Sequence, residues 1–236
     1  MNEYDNLADA KASSNKFITH DDVTRRFLVF KSLTHFLKIR KDYIHLHEVI
    51  LHHKKRKFFV DLDARDIDVE ICNKHKNRII AIIKALFAKI YNYLVDDSYI
   101  VVIDSSGMSN NKYKYSINLV INKYAFHDYA EFKWFGSQVS EKYYSFVDAI
   151  PGFLDNNFFT RKDVNSHISS RFPGCTKKNE GRYKVITSNH TYEEGIISNT
   201  SGCEDLPLKS DVDRNACYEK YKKEKYIEPH IIIITF

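Results

Sequence analysis

Apolar and polar positions change period several times along this chain, and each change marks an element. Phe27, Phe30, Leu33, Phe36 and Leu37 recur at helical spacing, so a helix capped by Asp21 or Asp22 is expected to run to about Arg40. Tyr43 to Leu51 reads as a strand, His52-His53-Lys54-Lys55-Arg56 as a basic turn, and Lys57 to Asp63 as a second strand rich in aromatic and β-branched residues. A long helix is expected from Asp68 to Leu94, with Ile79, Ile83, Leu86, Phe87, Ile90 and Leu94 on its buried stripe. Asp66, Asp68 and Glu70 suit the positive end of its dipole. Tyr99 to Asp104 and Tyr113 to Asn122 form a hairpin around the polar loop that begins Ser105-Ser106-Gly107. Phe126 to Tyr144 reads as another helix.

Beyond Asp148 the pattern weakens. Pro151-Gly152 and Pro173-Gly174 mark turns, Arg182 to Thr187 a short strand, and Thr187 to Asp213 a mostly polar loop. Ala216 to Tyr226 reads as a lysine-rich helix, and His230 to Phe236 as an apolar strand on which the sequence stops, as at the boundary of a fragment or an end tucked into a sheet. Residues 1–20 read as a flexible lead-in and residues 21–236 as one domain. Helices mixed with hairpins indicate an α+β fold rather than a doubly wound sheet.

Composition narrows the class. With 236 residues, 43% hydrophobic and 14% aromatic, there is ample material for a large core, which excludes a disordered chain. Seven glycines and four prolines exclude collagen-like sequence. The net charge of +5 permits a polyanionic partner. Cys72, Cys175, Cys203 and Cys217 lie far apart without C-x-x-C spacing, which fits a reducing compartment better than a disulfide scaffold. A zinc site from Cys175, His190, Cys203 and Cys217 would need long, irregular separations. Met1 to Lys16 lacks the apolar core of a signal peptide, and Ile79 to Val95 is broken by Lys84 and Lys89, so neither secretion nor a membrane span is expected.

The sharpest chemical feature is Phe58-Phe59-Val60-Asp61-Leu62-Asp63. Side chains alternate along a strand, so Asp61 and Asp63 share a face while Val60 and Leu62 enter a core. Two carboxylates held together repel unless something neutralises them, and hard oxygen ligands suit Mg²⁺ or Mn²⁺. D-x-D is also a common tripeptide. Asp66-Ile67-Asp68 opens a helix and Asp211-Val212-Asp213 lies in a polar stretch, so neither carries the same argument. On the returning hairpin strand Lys114, Ser116 and Asn118 share one face and can grip phosphate oxygens, or simply form a solvated face. Phe146-Val147-Asp148 places an acid after an apolar pair. The stretch from Arg171 to Lys178 combines basic residues with turns, as a phosphate loop or an ordinary surface loop does.

These elements in this order resemble the archaeo-eukaryotic primase superfamily, above all the primase domains of large DNA virus primase-helicases and the primase-polymerases. The likeness covers about residues 43–187 and rests on His47-Glu48-Val49-Ile50, Val60-Asp61-Leu62-Asp63, Lys114-Tyr115-Ser116-Ile117-Asn118, Val147-Asp148, Arg171 and Lys177, with Lys178 as an alternative to the last. It implies a two-lobed α+β core with an RRM-like catalytic sheet. It implies Asp61, Asp63 and Asp148 as ligands of two Mg²⁺ or Mn²⁺ ions, and Lys114, Ser116, Asn118, Arg171 and Lys177 as nucleotide-binding residues. The reaction would be nucleotidyl transfer, making primers from nucleoside triphosphates on a single-stranded DNA template. A template would cross a basic face that includes Lys54, Lys55 and Arg56.

One position departs from the family. Its second-motif histidine, which contacts the incoming phosphates, is Asn118 here. Asparagine donates a hydrogen bond but carries no positive charge, which weakens catalysis or leaves Lys114 to compensate. The alternative is therefore a primase-fold module that binds nucleic acid with little or no activity. A metal-dependent phosphohydrolase or nuclease using the same acids is a third reading. G-x-x-x-x-G-K-[ST] does not occur, so a helicase is expected as a separate partner or in a longer parent chain. The Lys-, Asn-, Ile- and Tyr-rich composition looks like that of an AT-rich genome, often viral, and with the family resemblance it implies an intracellular setting, a viral replication site in host cytoplasm or nucleus.

Overall fold

The computed structural model describes residues 1–12, 17–160, 167–208 and 210–223. The first part of the chain contains β1 (Asn2–Tyr4), α1 (Leu7–Ala12), β2 (Phe17–Asp21), β3 (Phe27–Phe30), α2 (Leu33–Ile39) and β4 (Leu46–Leu51). Next come β5 (Arg56–Arg65), α3 (Val69–Leu86), β6 (Ile100–Asp104), β7 (Gly107–Ser109), β8 (Lys112–Phe126), α4 (Tyr129–Tyr144) and α5 (Asn157–Thr160). The remainder is β9 (His167–Arg171), β10 (Val185–Ile186), β11 (Glu204–Asp205) and α6 (Asp211–Lys223). The fold is α+β, built on two sheets in which antiparallel pairing predominates. One sheet runs β1-β3-β2-β4-β9; in the other, β8 pairs with β5, β6, β7 and β11, and β6 with β10.

The main core lies under the second sheet. Cys72, Ile79, Ile82, Ile83 and Leu86 of α3 are buried, as helical spacing requires. Asp68 caps this helix, its carboxylate accepting from the Glu70 and Ile71 amides at 2.7 and 3.3 Å. Phe58 anchors an aromatic cluster with Phe87, Phe126, Phe132, Phe135 and Phe159. Around the first sheet, Leu28, Phe30, Phe36, Leu46 and Phe172 pack on one face, and Ala10, Ile18, Val29 and Val49 form a separate cluster. The sheets are joined by polar contacts as well as apolar ones. The buried Glu48 carboxylate of β4 accepts from the Ile197 and Ser198 amides at 3.0 and 2.6 Å.

Several expectations change. Residues 1–20 contain two strands and a helix: β1 pairs with β3, and β2 lies between β3 and β4. The helix expected up to Arg40 is instead β3 followed by α2. Phe27-Leu28-Val29-Phe30 is a short apolar run whose strand partners outweigh its helical spacing, and Ser32 starts α2 by accepting from the His35 amide at 3.1 Å. The long helix passes from α3 into a π-turn at Phe87–Tyr91 and stops at Asn92, whose φ of 60° is left-handed. Leu94, expected on its buried stripe, is 80% exposed. The lysine-rich helix starts at Asp211, before the expected Ala216. The apolar strand His230 to Phe236 lies outside the described residues. Among the described residues no helix is long and apolar enough to cross a membrane.

Candidate active site

β5 and β8 build the site between them. In their register Asp61 lies opposite Asn118, and Asp63 opposite Ser116. Opposed residues of an antiparallel pair project the same way, so two carboxylates, an amide and a hydroxyl occupy one face. Val60 and Leu62, alternating with the acids, are fully buried. The loop after β6 stiffens this corner: Ser106 Oγ accepts from the Ser116 amide at 2.9 Å, and Ser105 Oγ donates to Ser116 Oγ at 3.1 Å.

A segment after α4 runs along β5. The Asp63 amide donates to the Phe153 carbonyl at 2.8 Å, the Asp155 amide donates to the Asp61 carbonyl at 2.9 Å, and Leu154 bridges to Leu62. These bonds bring Asp155 beside the acid pair. Its carboxylate also accepts from the Asn157 amide at 2.9 Å, at the start of α5.

Basic groups balance the acids. Lys114 Nζ is 2.7 Å from Asp63 Oδ2. Lys184, immediately before β10, is only 5% exposed. Burial pushes its ammonium down to about 8, against the pull of the Asp61 and Asp63 charges. Arg171, at the end of β9, is held through Nη1 to the Arg182 carbonyl at 3.3 Å. Burial lowers its pKa too, and Glu180, Asp61 and Asp63 oppose that shift. For Asp61 burial dominates and pushes the carboxyl up to about 6; Asp63 and Asp155 push the same way, and Lys184 and Lys114 oppose them.

Three acceptor atoms decide what the site can hold. Asp61 Oδ1, Asp63 Oδ1 and Asn118 Oδ1 are buried without a hydrogen-bond partner. An ionised carboxylate only accepts, and burying it unpaired is costly, so these oxygens call for a donor or a cation. Among the described residues no group of three or more His, Cys, Asp or Glu forms a complete metal cage. Two carboxylates and an amide make a partial oxygen shell, which suits Mg²⁺ because that ion keeps waters and substrate phosphates as its other ligands. A cleft of about 640 Å³ adjoins Asp63, lined also by Tyr144, Phe146, Pro151, Asp155 and Asn156. Its volume falls in the range of small-molecule sites. A smaller hollow of about 350 Å³ shares Asp63 and Pro151 and reaches Lys114 and Arg65.

The structure therefore gathers Asp61, Asp63, Lys114, Ser116, Asn118 and Arg171. Asp148 and Lys177 belong elsewhere. Asp148 binds Arg78 of α3 at 2.6 and 3.2 Å and has Lys74 at 4.0 Å. The Arg78 hydrogen bonds hold its carboxyl below the usual carboxylate range. It pins the turn after α4, where Val147 is fully exposed and no strand presents the acid. The same motif of two apolar residues and an acid recurs at Phe153-Leu154-Asp155, with both apolar residues buried, and there the acid reaches the site. Lys177 is exposed on a turn that the Glu180 amide closes onto its carbonyl at 3.0 Å. The buried lysine whose charge acts on the acid pair is Lys184, whose position next to the strand residues Val185-Ile186 was the available signal. The basic turn also changes meaning. Arg56 is fully buried and donates to the Leu51, His52 and Lys54 carbonyls at 2.6, 2.8 and 2.9 Å, and Lys55 pairs with Asp205. Arg56 is thus a brace for the turn and no part of a template face.

Set against known proteins, the chain matches no protein-family model, and no curated protein is significantly similar to it.

Proposed function

We propose that this chain is a metal-dependent nucleotidyltransferase. Within that class, the order of its motifs favours a primase or primase-polymerase that extends nucleotides on single-stranded DNA. The observation that carries the reading is the trio of buried, unpartnered oxygens on Asp61, Asp63 and Asn118, with Asp155 beside them and Lys114, Lys184 and Arg171 around them.

Asp61 and Asp63, with the Asn118 amide oxygen, would hold Mg²⁺ or Mn²⁺, which supplies Lewis-acid activation of a 3′-hydroxyl and neutralises charge on the departing diphosphate. The residues do the rest. Asp155 adds negative charge on the same edge of β5. Lys184 and Arg171, whose charges act on Asp61 and Asp63, offer positive charge to the triphosphate. The Lys184 ammonium, pushed down to about 8, holds its proton at neutral pH yet can pass it from Nζ to a developing phosphate anion. Lys114, paired with Asp63 in the metal-free protein, would be free to bind a phosphate oxygen if Asp63 held a cation, since both compete for the same carboxylate. A replicative helicase remains an expected partner only through the family resemblance.

The test is primer synthesis on single-stranded DNA with Mn²⁺ or Mg²⁺ and labelled nucleotides, beside the Asp61→Ala/Asp63→Ala double variant. The expected result is product from the wild type and none from the variant. Equal template binding by both proteins without product from either would replace the enzyme with a binding module. Degradation of a labelled strand without any nucleoside triphosphate would instead make it a nuclease.

A further inference from the structure

One row of side chains next to the site contains two histidines that the scheme above leaves unused. β2, β4 and β9 are adjacent antiparallel strands, and their register aligns His20 with His47 and His47 with Arg171. Three groups able to carry positive charge therefore stand side by side on one face of the first sheet. The His20 and His47 rings meet edge to face at 6.3 Å. The row ends at Arg171, whose charge interacts with Asp61 and Asp63. Lys184 joins it there, close enough for its charge to act on His47.

Within this row His47 is the anomaly. Its Nε2 is buried and has no hydrogen-bond partner. A buried imidazole nitrogen left unpaired costs free energy, which a water, an ion or a ligand oxygen within reach would offset. Burial, together with Lys184, Arg171 and His20, pushes the imidazole down to about 4, while Asp22 opposes the shift. Asp22 is itself engaged, at 3.2 Å from Arg25 and accepting from the Lys178 amide at 3.3 Å. Lys184 and Arg171 bring positive charge to the same place, and a neutral imidazole still has one N–H to donate.

We infer that His47 Nε2 donates to a phosphate oxygen of a bound nucleoside triphosphate, forming with Arg171 and Lys184 a phosphate subsite that spans the two sheets. This rests on the nucleotidyltransferase reading for the identity of the nucleotide; the anion chemistry stands on the row itself. β4 supplies the imidazole from outside the β5–β8 pair, so the subsite is not visible from the spacing of the acidic motifs.

The experiment is calorimetric titration of the intact protein with tripolyphosphate, with the nonhydrolysable α,β-imido analogue of ATP in the presence of Mg²⁺, and with a short single-stranded oligodeoxynucleotide. His47→Phe keeps the ring volume and removes the donor; His47→Gln keeps one donor. A hydrogen bond to a charged group predicts that His47→Phe weakens both polyphosphates about tenfold, with His47→Gln losing less, and leaves the oligonucleotide unaffected. Unchanged affinity for both polyphosphates overturns the inference while leaving primer synthesis by the wild type untouched. Loss of oligonucleotide binding alone also overturns it, because the row would then contact a nucleic-acid backbone. Conversely, His47-dependent tripolyphosphate binding in a protein that makes no primer retains the subsite and discards the polymerase. Should His47→Phe fail to fold, the wild type decides by NMR: the His47 ring resonances shift on adding tripolyphosphate, and their failure to move overturns the subsite.

Discussion

A carboxylate oxygen shielded from water without a partner raises the free energy of the folded chain, and Asp61 Oδ1 is shielded in this way although the residue is half-buried. Burial, with Asp63 and Asp155 beside it, pushes its carboxyl up to about 6 from an ordinary value near 3.8. A raised folded-state pKa means that protonation stabilises the fold. That contribution is complete below the unfolded value and is lost as pH rises through about 6. Asp61→Asn, which keeps the shape and removes the charge, is therefore expected to stabilise the metal-free protein above pH 6 by about 1–3 kcal/mol. The gain corresponds to about 2–4 °C in Tm per kcal/mol for a chain of this size, and it vanishes below about pH 4. Mn²⁺ is expected to reverse the order at neutral pH by stabilising only the wild type. Thermal melts across pH, with and without Mn²⁺, check this; a variant less stable than wild type without metal at neutral pH would remove the argument from strained acids. The D-x-D pair and the shared face with Ser116 and Asn118 were legible in the sequence because strand alternation is local. Asp155 was not singled out in the sequence, which offered Asp148 instead, since nothing local distinguishes Phe153-Leu154-Asp155 from Phe146-Val147-Asp148.

Elements hold these residues in place, and the most exacting contact among them is at Gly136. This glycine lies in α4 with the Phe159 ring of α5 packed against its backbone, so that any Cβ would overlap the ring. Gly136→Ala would gain the better helix former yet force Phe159, and with it the segment that Asp155 starts, away from α4. The expected outcome is a loss of about 1–3 kcal/mol in urea unfolding and weaker Mn²⁺ binding. Destabilisation without any change in Mn²⁺ affinity would uncouple Asp155 from the site. At this scale the strong patterns were readable: α3, α4, β5 and the β6–β8 hairpin follow from long periodic segments and their caps. The failures lie where segments are short. Phe27-Leu28-Val29-Phe30 suits helix or strand equally, and the pairing of β3 with β1 and β2, whose partners lie at other places in the chain, decides the outcome. Arg56 was read as surface charge because lysine and histidine surround it, but the three carbonyls of the turn draw its guanidinium inward.

In the whole molecule the site belongs to neither sheet alone: the acids come from β5, Arg171 from β9 and His47 from β4. A nucleotide with its metal would tie the two sheets together. Nucleotide at a hundredfold excess over its Kd is expected to stabilise the fold by about 2.7 kcal/mol. Amide hydrogen exchange should slow in both His167–Arg171 and Arg56–Arg65. Protection confined to β5 and β8 would place the phosphates away from the first sheet. The sequence by itself determined the α+β class, the acid pair with its facing hydroxyl and amide, and the long helices, because periods of 2 and 3.6 and cap residues are properties of neighbours in the chain. Only the tertiary structure decided which acid completes the pair, which lysine is buried beside it, and that residues 1–20 supply strands to a sheet. Those outcomes depend on contacts between residues far apart in sequence, such as His47 with Arg171 or Asp61 with Asp155, which no local pattern encodes.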